Sequence, residues 1–261
     1  MPEIGNNIAK ADIDMIDESF DISQSENYNL FIQIGCNRLS FCVHNNKFNV
    51  LRSYPLYQSS IISECRTIFE RDDLLGLRYK DSRHLWISPR CTLVPEHLFD
   101  NRDTDLYLTF NHGKTTGEQA SHNYIRSANL YNVFSCPEAL TALLQLFQPN
   151  IKLFHHATPL IELGVADNNA NVAVYSYSDY LDIMVIEKNK LLFYNTFQIN
   201  APEDSVYYYS LVTNSLNVKH FSTKLIYAGG CNKIAILKDY ADNVVEYELP
   251  IQRLYEIVSN F

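Results

Sequence analysis

The sequence has no apolar run approaching the roughly 18 residues that a membrane-spanning helix requires, so no inserted helix is expected. Near Met1 it lacks the basic segment and apolar stretch of a secretory leader; MPEIGNNIAKADIDMIDESFD is polar and acidic, and a cytoplasmic location is expected. It lacks any cluster of Lys and Arg: 21 basic residues stand against 30 acidic ones, a net charge of −9. That excludes the broad basic surface which nucleic-acid binding needs. The six cysteines, Cys36, Cys42, Cys65, Cys91, Cys136 and Cys231, form no C-x-x-C pair and match no zinc spacing. They read as buried free thiols in a reducing compartment, and no metal site is expected. Low-complexity linkers are also absent.

What is present is one pattern, twice. Residues Asn29–Tyr54, NLFIQIGCNRLSFCVHNNKFNVLRSY, and Asn171–Phe197, NVAVYSYSDYLDIMVIEKNKLLFYNTF, each read as apolar strand, short polar break, apolar strand, Asn/Lys turn, apolar strand. Laid on each other, Asn29 meets Asn171, Gln33 meets Tyr175 and Leu39 meets Leu181; one residue inserted in the second turn keeps the third strands aligned. A chain of 261 residues with 46% hydrophobic content can hold one large domain or two small lobes, and the repeat favours the lobes. The expected organisation is an acidic, partly disordered lead-in over 1–27, a first lobe over 28–168 and a second over 169–261. Asp12, Asp14, Asp17, Glu18, Asp21 and Glu26 against Lys10 alone give the lead-in its charge. It reads as a solvated, loosely ordered segment, with a docking arm for a basic partner as the other reading.

Between and after the meanders, strands and helices alternate, the signature of α/β layers. Helical spacing covers Ser59–Leu75 and Arg102–Asn111, with a short turn of helix from Pro95 to Phe99. Ser135 can cap a helix over Pro137–Phe147, and Thr158 one over Pro159–Val165. Ala201–Asp204 opens a helix through Leu216, and Pro250–Val258 closes the chain. Strands are expected at Arg83–Ser88, Ala128–Phe134, Ile151–Phe154, Lys224–Ala228 and Val244–Leu249. The glycine pair Gly229–Gly230 follows the fourth of these, and a helix is expected from Asn232 to about Tyr240.

This order of meander, crossovers, second meander, helix, strand, Gly-Gly and helix resembles the actin-like ATPase superfamily: actin, the heat-shock chaperone ATPase domains and the sugar kinases. The actin-like cytoplasmic proteins of type IV pili and type II secretion are similar too. More narrowly, YNVFSCPEALTALLQLF, IKLFHHATPLIE, CTLVPEHLF and FYNTFQINAPEDSVYYYSLV resemble a bacterial family of unknown function assigned to this fold, over about Ser19 to Phe261. The resemblance implies an α/β protein of duplicated ribonuclease-H-like lobes facing a cleft. It also implies where nucleotide would be met: Gly35, Cys36 and Asn37 in the first hairpin, Ser178 in the second, and Gly229, Gly230 and Asn232 after the later strand. Gly229–Gly230 reads equally as a tight strand-to-helix turn without a ligand.

Active members carry a metal-holding Asp in each hairpin. Here the first run is Gln33-Ile34-Gly35-Cys36-Asn37 and the second Tyr175-Ser176-Tyr177-Ser178-Asp179, with a neutral amide and a phenol at those positions. Phosphoryl transfer depends on a metal that neutralises developing charge. No catalytic residue and no cofactor are therefore expected, with ATP and Mg²⁺ as the alternative. Asp182 matches a later, structural position. The expected function is a non-hydrolysing scaffold or adaptor for a protein partner. The alternatives are an ATPase or kinase using Asp167, Asp179 or Asp182, and a nucleotide sensor. Tyr175 or Tyr177 is expected to fill the phosphate end, its hydroxyl held by Gln33 or Asn37.

Other signals carry less. Gly113-Lys114-Thr115 ends like a P-loop, but Leu108 stands where the first glycine belongs. His112 and His122 lack a third metal ligand. His155 and His156, if both on a strand, point to opposite faces, one buried and one exposed. Cys36 needs His44 or another base before it can be a nucleophile. Tyr207-Tyr208-Tyr209 read as packing residues, or as a partner-binding patch.

Overall fold

The computed structural model describes residues 10–35, 37–57, 61–166, 172–217, 222–227, 233–241, 243–248 and 251–259. The chain divides into two units: residues 1–87, 116–119 and 136–154, and residues 88–115, 120–135 and 155–261.

The first unit is built on a six-stranded sheet. After a short strand β1 (Ile13–Ile16) come the meander strands β2 (Asn29–Gly35), β3 (Arg38–Asn45) and β4 (Lys47–Pro55), then helix α1 (Ile61–Arg71) and strand β5 (Asp81–Trp86). Strands β6 (Cys91–Pro95), β7 (Glu118–Ile125) and β8 (Leu130–Pro137) form a separate three-stranded sheet, with helix α2 (Thr104–His112) between β6 and β7. Helix α3 (Glu138–Phe147) and strand β9 (Lys152–His155) return to the first unit, whose sheet runs β1-β4-β3-β2-β5-β9. The apolar runs of β2 and β3 explain the sheet: Leu30, Phe31, Ile32, Ile34, Leu39, Phe41, Cys42 and Val43 are wholly buried, as strands covered on both faces require. Phe69 of α1 meets Phe147 of α3 with ring centroids 5.2 Å apart.

The second unit begins its main fold with helix α4 (Ala157–Ala166), followed by β10 (Val172–Tyr177), β11 (Tyr180–Glu187), β12 (Lys190–Gln198), helix α5 (Pro202–Ser215), β13 (Thr223–Tyr227), β14 (Val244–Glu248) and helix α6 (Ile251–Val258). Its sheet runs β12-β11-β10-β13-β14. Pro202 fits the first turn of α5, where its missing N–H costs nothing, and Asp204 accepts from the Asn200 and Ala201 N–H groups at 2.7 and 3.0 Å. Against α5 one face of the sheet packs Val172, Val174, Leu181, Ile183, Val185 and Leu225. On the opposite face lies Gly164 of α4, where an added Cβ would overlap Met184 and Ile186. A larger residue there would force the ends of the Met184 and Ile186 side chains to shift.

The two meanders agree rung by rung. Gln33 pairs with Ser40 and Tyr175 with Asp182; Ser40 pairs with Ser53 and Asp182 with Thr196. In each, the first strand also pairs in parallel with the next, through Gln33–Leu85 and Tyr175–Ile226. Each second hairpin carries one register shift, at Val43/His44 and at Val185/Ile186. Gln33 and Tyr175 thus hold equivalent places in separate sheets.

Several expectations need correction. Residues 13–16 of the acidic lead-in are not a loosely ordered tail but a strand antiparallel to β4. Its acids find bases on the sheet: Asp12 pairs with Arg38, Asp14 with Arg52 and Asp17 with Lys47. Strands β6 and β7, not foreseen, complete the small sheet. The helix expected from Asn232 is a 3-10 turn over Ala235–Asp239. Helix α3 starts at Glu138, with Pro137 rather than Ser135 at its cap.

Candidate functional site

Of the residues named for nucleotide contact, Cys36, Gly229, Gly230 and Asn232 lie outside the described residues. Gly35 ends β2 at the rung opposite Arg38. A Cβ on it would sit 3.4 Å from Ile87, an ordinary contact, so packing does not demand glycine there. Asn37 is exposed, and its carbonyl accepts from the Leu56 N–H at 2.8 Å. Ser178 turns the second hairpin with φ of 48°, a conformation that glycine would hold without strain. The Gln33 side-chain oxygen is buried without a hydrogen-bond partner among the described residues, and the amide it belongs to is a poor substitute for an anionic metal ligand.

The second unit holds a buried polar constellation that centres on Asp182 of β11, which is 2% exposed. Adjacent strands and the start of α4 aim four donors at its carboxylate. Tyr177 and Thr196 donate to Oδ1 at 3.1 and 2.7 Å; Tyr194 and His156 donate to Oδ2 at 2.8 and 2.7 Å. Tyr177 and Thr196 lie one strand to either side, on the face that Asp182 shares by alternation. The carboxylate works as an acceptor only, with both oxygens doubly occupied. Burial, and next the Asp182 charge, push the Tyr177 and Tyr194 phenols well above their ordinary range. The same two causes, in the same order, raise the Cys91 thiol, which makes it a poor nucleophile.

His155 forms a neighbouring layer. Its Nε2 lies 2.9 Å from the Ser88 carbonyl, so it donates there, and Nδ1 accepts from Asn132 at 3.2 Å and from the Ala157 N–H at 3.3 Å. This fixes a neutral tautomer; burial first, then His156, holds its pKa well below the usual imidazole value. The two histidines are both fully buried, with rings 4.4 Å apart. The expectation of one exposed ring fails because β9 stops at His155 and the chain turns into α4 there.

The tyrosine expectation is also corrected in its partner. Tyr175 and Tyr177 are buried, at 3% and 4% exposure, but Tyr177 is held by Asp182 and not by Gln33 or Asn37. Asp182, expected at a later, structural position, accepts from four donors. Asp179 is exposed and pairs with Lys233 at 2.6 Å; Asp167 lies outside the described residues. His112 donates from Nε2 to the Cys91 carbonyl, 2.8 Å away, and the His122 ring lies tilted beside Phe99, with centroids 4.9 Å apart. Among the described residues, no group of three or more His, Cys, Asp or Glu is placed to hold a metal. Of the tyrosine run, Tyr209 is buried and bonded to Thr223 at 2.7 Å, Tyr208 stacks on Phe197 at 4.4 Å, and Tyr207 is exposed. Gly113–Thr115 follows a helix, not a strand, which removes the P-loop reading.

Ladder topology and sheet order define an actin-like ATPase fold. A Bacteroides thetaiotaomicron protein with an actin-like ATPase fold and unknown function superposes with a TM-score of 0.82 at 22% identity, over 92% of this chain and 98% of that one. The cytoplasmic domain of EpsL, an inner-membrane component of the type II secretion system of Vibrio cholerae, gives a TM-score of 0.49 at 10% identity over 89% and 95%. The PilM–PilN type IV pilus biogenesis complex gives 0.48 at 11% over 89% and 91%. The chain belongs to the DUF3822 family, described as a protein of unknown function, which it matches over residues 17–245. No curated protein sequence matches it. No described helix is long and apolar enough to cross a membrane.

The fold implies ATP and Mg²⁺, and the described hairpins do not fit the metal. The equivalent rungs carry Gln33 and Tyr175, and the one buried carboxylate of the second meander is already fully engaged.

Proposed function

We propose that this protein is a non-hydrolysing actin-like scaffold or adaptor of the cytoplasm that binds a protein partner. The observation that carries this reading is the pair of equivalent positions, Gln33 and Tyr175, neither of which offers a carboxylate. Without an anionic ligand at either of these positions, the charge neutralisation that phosphoryl transfer needs has no holder there. The surface supports a partner: Leu106 and Phe110, one turn apart on α2, are 62% and 87% exposed.

The test measures phosphate release from ATP with and without Mg²⁺, beside a thermal-shift titration with nucleotide. The expected result is no turnover above background and no Mg²⁺-dependent rise in melting temperature. Steady turnover abolished by Asp179→Asn would sink the reading and support an ATPase with a non-standard carboxylate.

A further inference from the structure

The third strands of the two meanders, β4 and β12, differ in what lies on their outer edges. In the first unit β1 covers β4, with Ile13 opposite Ser53, Asp14 opposite Arg52 and Met15 opposite Leu51. In the second unit β12 is the terminal strand of its sheet. The shared rungs Ser40–Ser53 and Asp182–Thr196 make Tyr194, Asn195 and Thr196 the counterparts of Leu51, Arg52 and Ser53. Those three residues line a pocket of about 360 Å³, walled on its other sides by residues that include Cys91, Thr92, Asn111 and His112. The second unit has a pocket at the rungs where the first has a strand.

We propose that the outer edge of β12 receives an extended segment of a partner protein that carries a carboxylate at its Lys190 end, added antiparallel to β12 as β1 is to β4. The proposal rests on the scaffold reading above and names its partner's chemistry. An open strand edge presents unpaired N–H and C=O groups, and strand addition satisfies them. In the first unit the Asp12 and Asp17 N–H groups donate to the Ser53 and Asn49 carbonyls at 2.9 and 2.7 Å, so those β4 residues present their carbonyls to the added strand. By the common ladder, Thr196 and Tyr194 present theirs to the pocket.

Charge selects the segment. Arg38, Arg52 and Lys47 hold the acids of β1. Their counterparts are Tyr180, Asn195 and Lys190. One cation is kept, exposed at the start of β12 and joined by exposed Lys188 in the preceding turn. Glu187 stands across the ladder from Lys190, yet no ion pair to Lys188 or Lys190 is found among the described residues. The added strand therefore needs a carboxylate where Asp17 lies in β1, and uncharged residues along the pocket, whose walls offer amides and hydroxyls.

The probe is a fluorescein-labelled peptide of residues 10–18, the segment that covers the twin edge, titrated with the full chain and read by anisotropy. Saturable micromolar binding is expected, weakened at least about tenfold by Lys190→Glu, a change at an exposed position. N-methylation at the peptide's Ile13 and Met15, whose N–H groups face the receiving strand, should abolish binding; at Asp14 and Ile16 it should be tolerated. Hydrogen exchange should slow across residues 190–198. No saturable binding at millimolar peptide, indifference to Lys190→Glu, or protection only elsewhere would overturn the proposal. ATP turnover would overturn the scaffold reading alone, and an absence of both turnover and peptide binding would overturn strand addition alone.

Discussion

The His156 imidazole donates from Nε2 to Asp182 Oδ2 across 2.7 Å, with both side chains closed to solvent. The other ring nitrogen, Nδ1, is buried and has no partner among the described residues, which leave the ring this one acceptor. A buried carboxylate with four donors is costly to break, because each donor left behind loses its partner inside the protein.

Asp182→Asn places an NH₂ group where donors already point. It should destabilise the protein by about 1–3 kcal/mol, the cost of leaving a buried polar group without its partner. Urea denaturation of the variant and the parent checks this; a loss under about 1 kcal/mol would show that the network is slack.

His84 of β5 is fully buried, and neither ring nitrogen has a hydrogen-bond partner among the described residues. Burial lowers its pKa to about 3. Between that value and the unfolded value of about 6.5, the unfolded chain binds the proton and the folded chain does not, so stability falls as pH drops through this window. His84 shares a rung with Ile32, and the equivalent rung of the second meander pairs Val174 with Leu225. His84→Leu should therefore stabilise the protein by about 1–3 kcal/mol at pH 7. It should also reduce the acid loss by about 1.4 kcal/mol per pH unit well below pH 6.5. Parallel denaturation curves from pH 7 to pH 4 read both effects, and an unchanged slope would refute the neutral buried state.

Arg52 joins Asp14 of β1 to Asp72 and Asp73, with nitrogen–oxygen distances of 2.8, 3.2 and 2.7 Å. Asp72 keeps the Tyr54 hydroxyl at 2.5 Å and the Leu74 N–H at 2.8 Å, but loses its cation in Arg52→Ala. The expected outcome is a loss of about 2–3 kcal/mol and faster amide exchange in residues 13–16 than in β2. Equal exchange in both strands would mean that β1 is held by its backbone alone.

Gly164→Ala brings a methyl into Met184 and Ile186. The expected cost is about 1–3 kcal/mol by overpacking. The companion change Met184→Ala should make the alanine at 164 far less damaging, and a double-mutant cycle by thermal denaturation measures the coupling.

The meanders were legible because their apolar runs are continuous and their turns carry Asn and Lys, as at Asn45–Lys47 and Lys188–Lys190. Strand β7 was not: EQASHNYI lies mostly half-buried, and its polar side chains hide the pattern. His156 was misread because local spacing cannot show where a short strand stops. The Asp182 cluster was invisible as a cluster. Its donors at 156, 177, 194 and 196 are scattered along the chain, and only strand pairing and the turn into α4 bring them together. Lys190 could have been marked as the partner of Lys47 from the repeat, but the sequence does not show that β1 covers one edge and leaves the other bare.

The register shift beside Val185 has a consequence for those donors. Ile186 pairs with Leu191 and Val185 with Phe193, so Leu192 is the extra residue. Were Leu192 instead taken into a regular ladder, Asp182 would stand against Asn195, and the Thr196 and Tyr194 side chains would turn to the opposite face, among the apolar residues under α5. Asn49 is the matching extra residue in the first meander, between the pairs Val43–Val50 and His44–Phe48. One odd residue fixes the parity of each third strand, and in the second unit that parity decides whether a buried carboxylate meets its hydroxyls or a bare hydrocarbon wall.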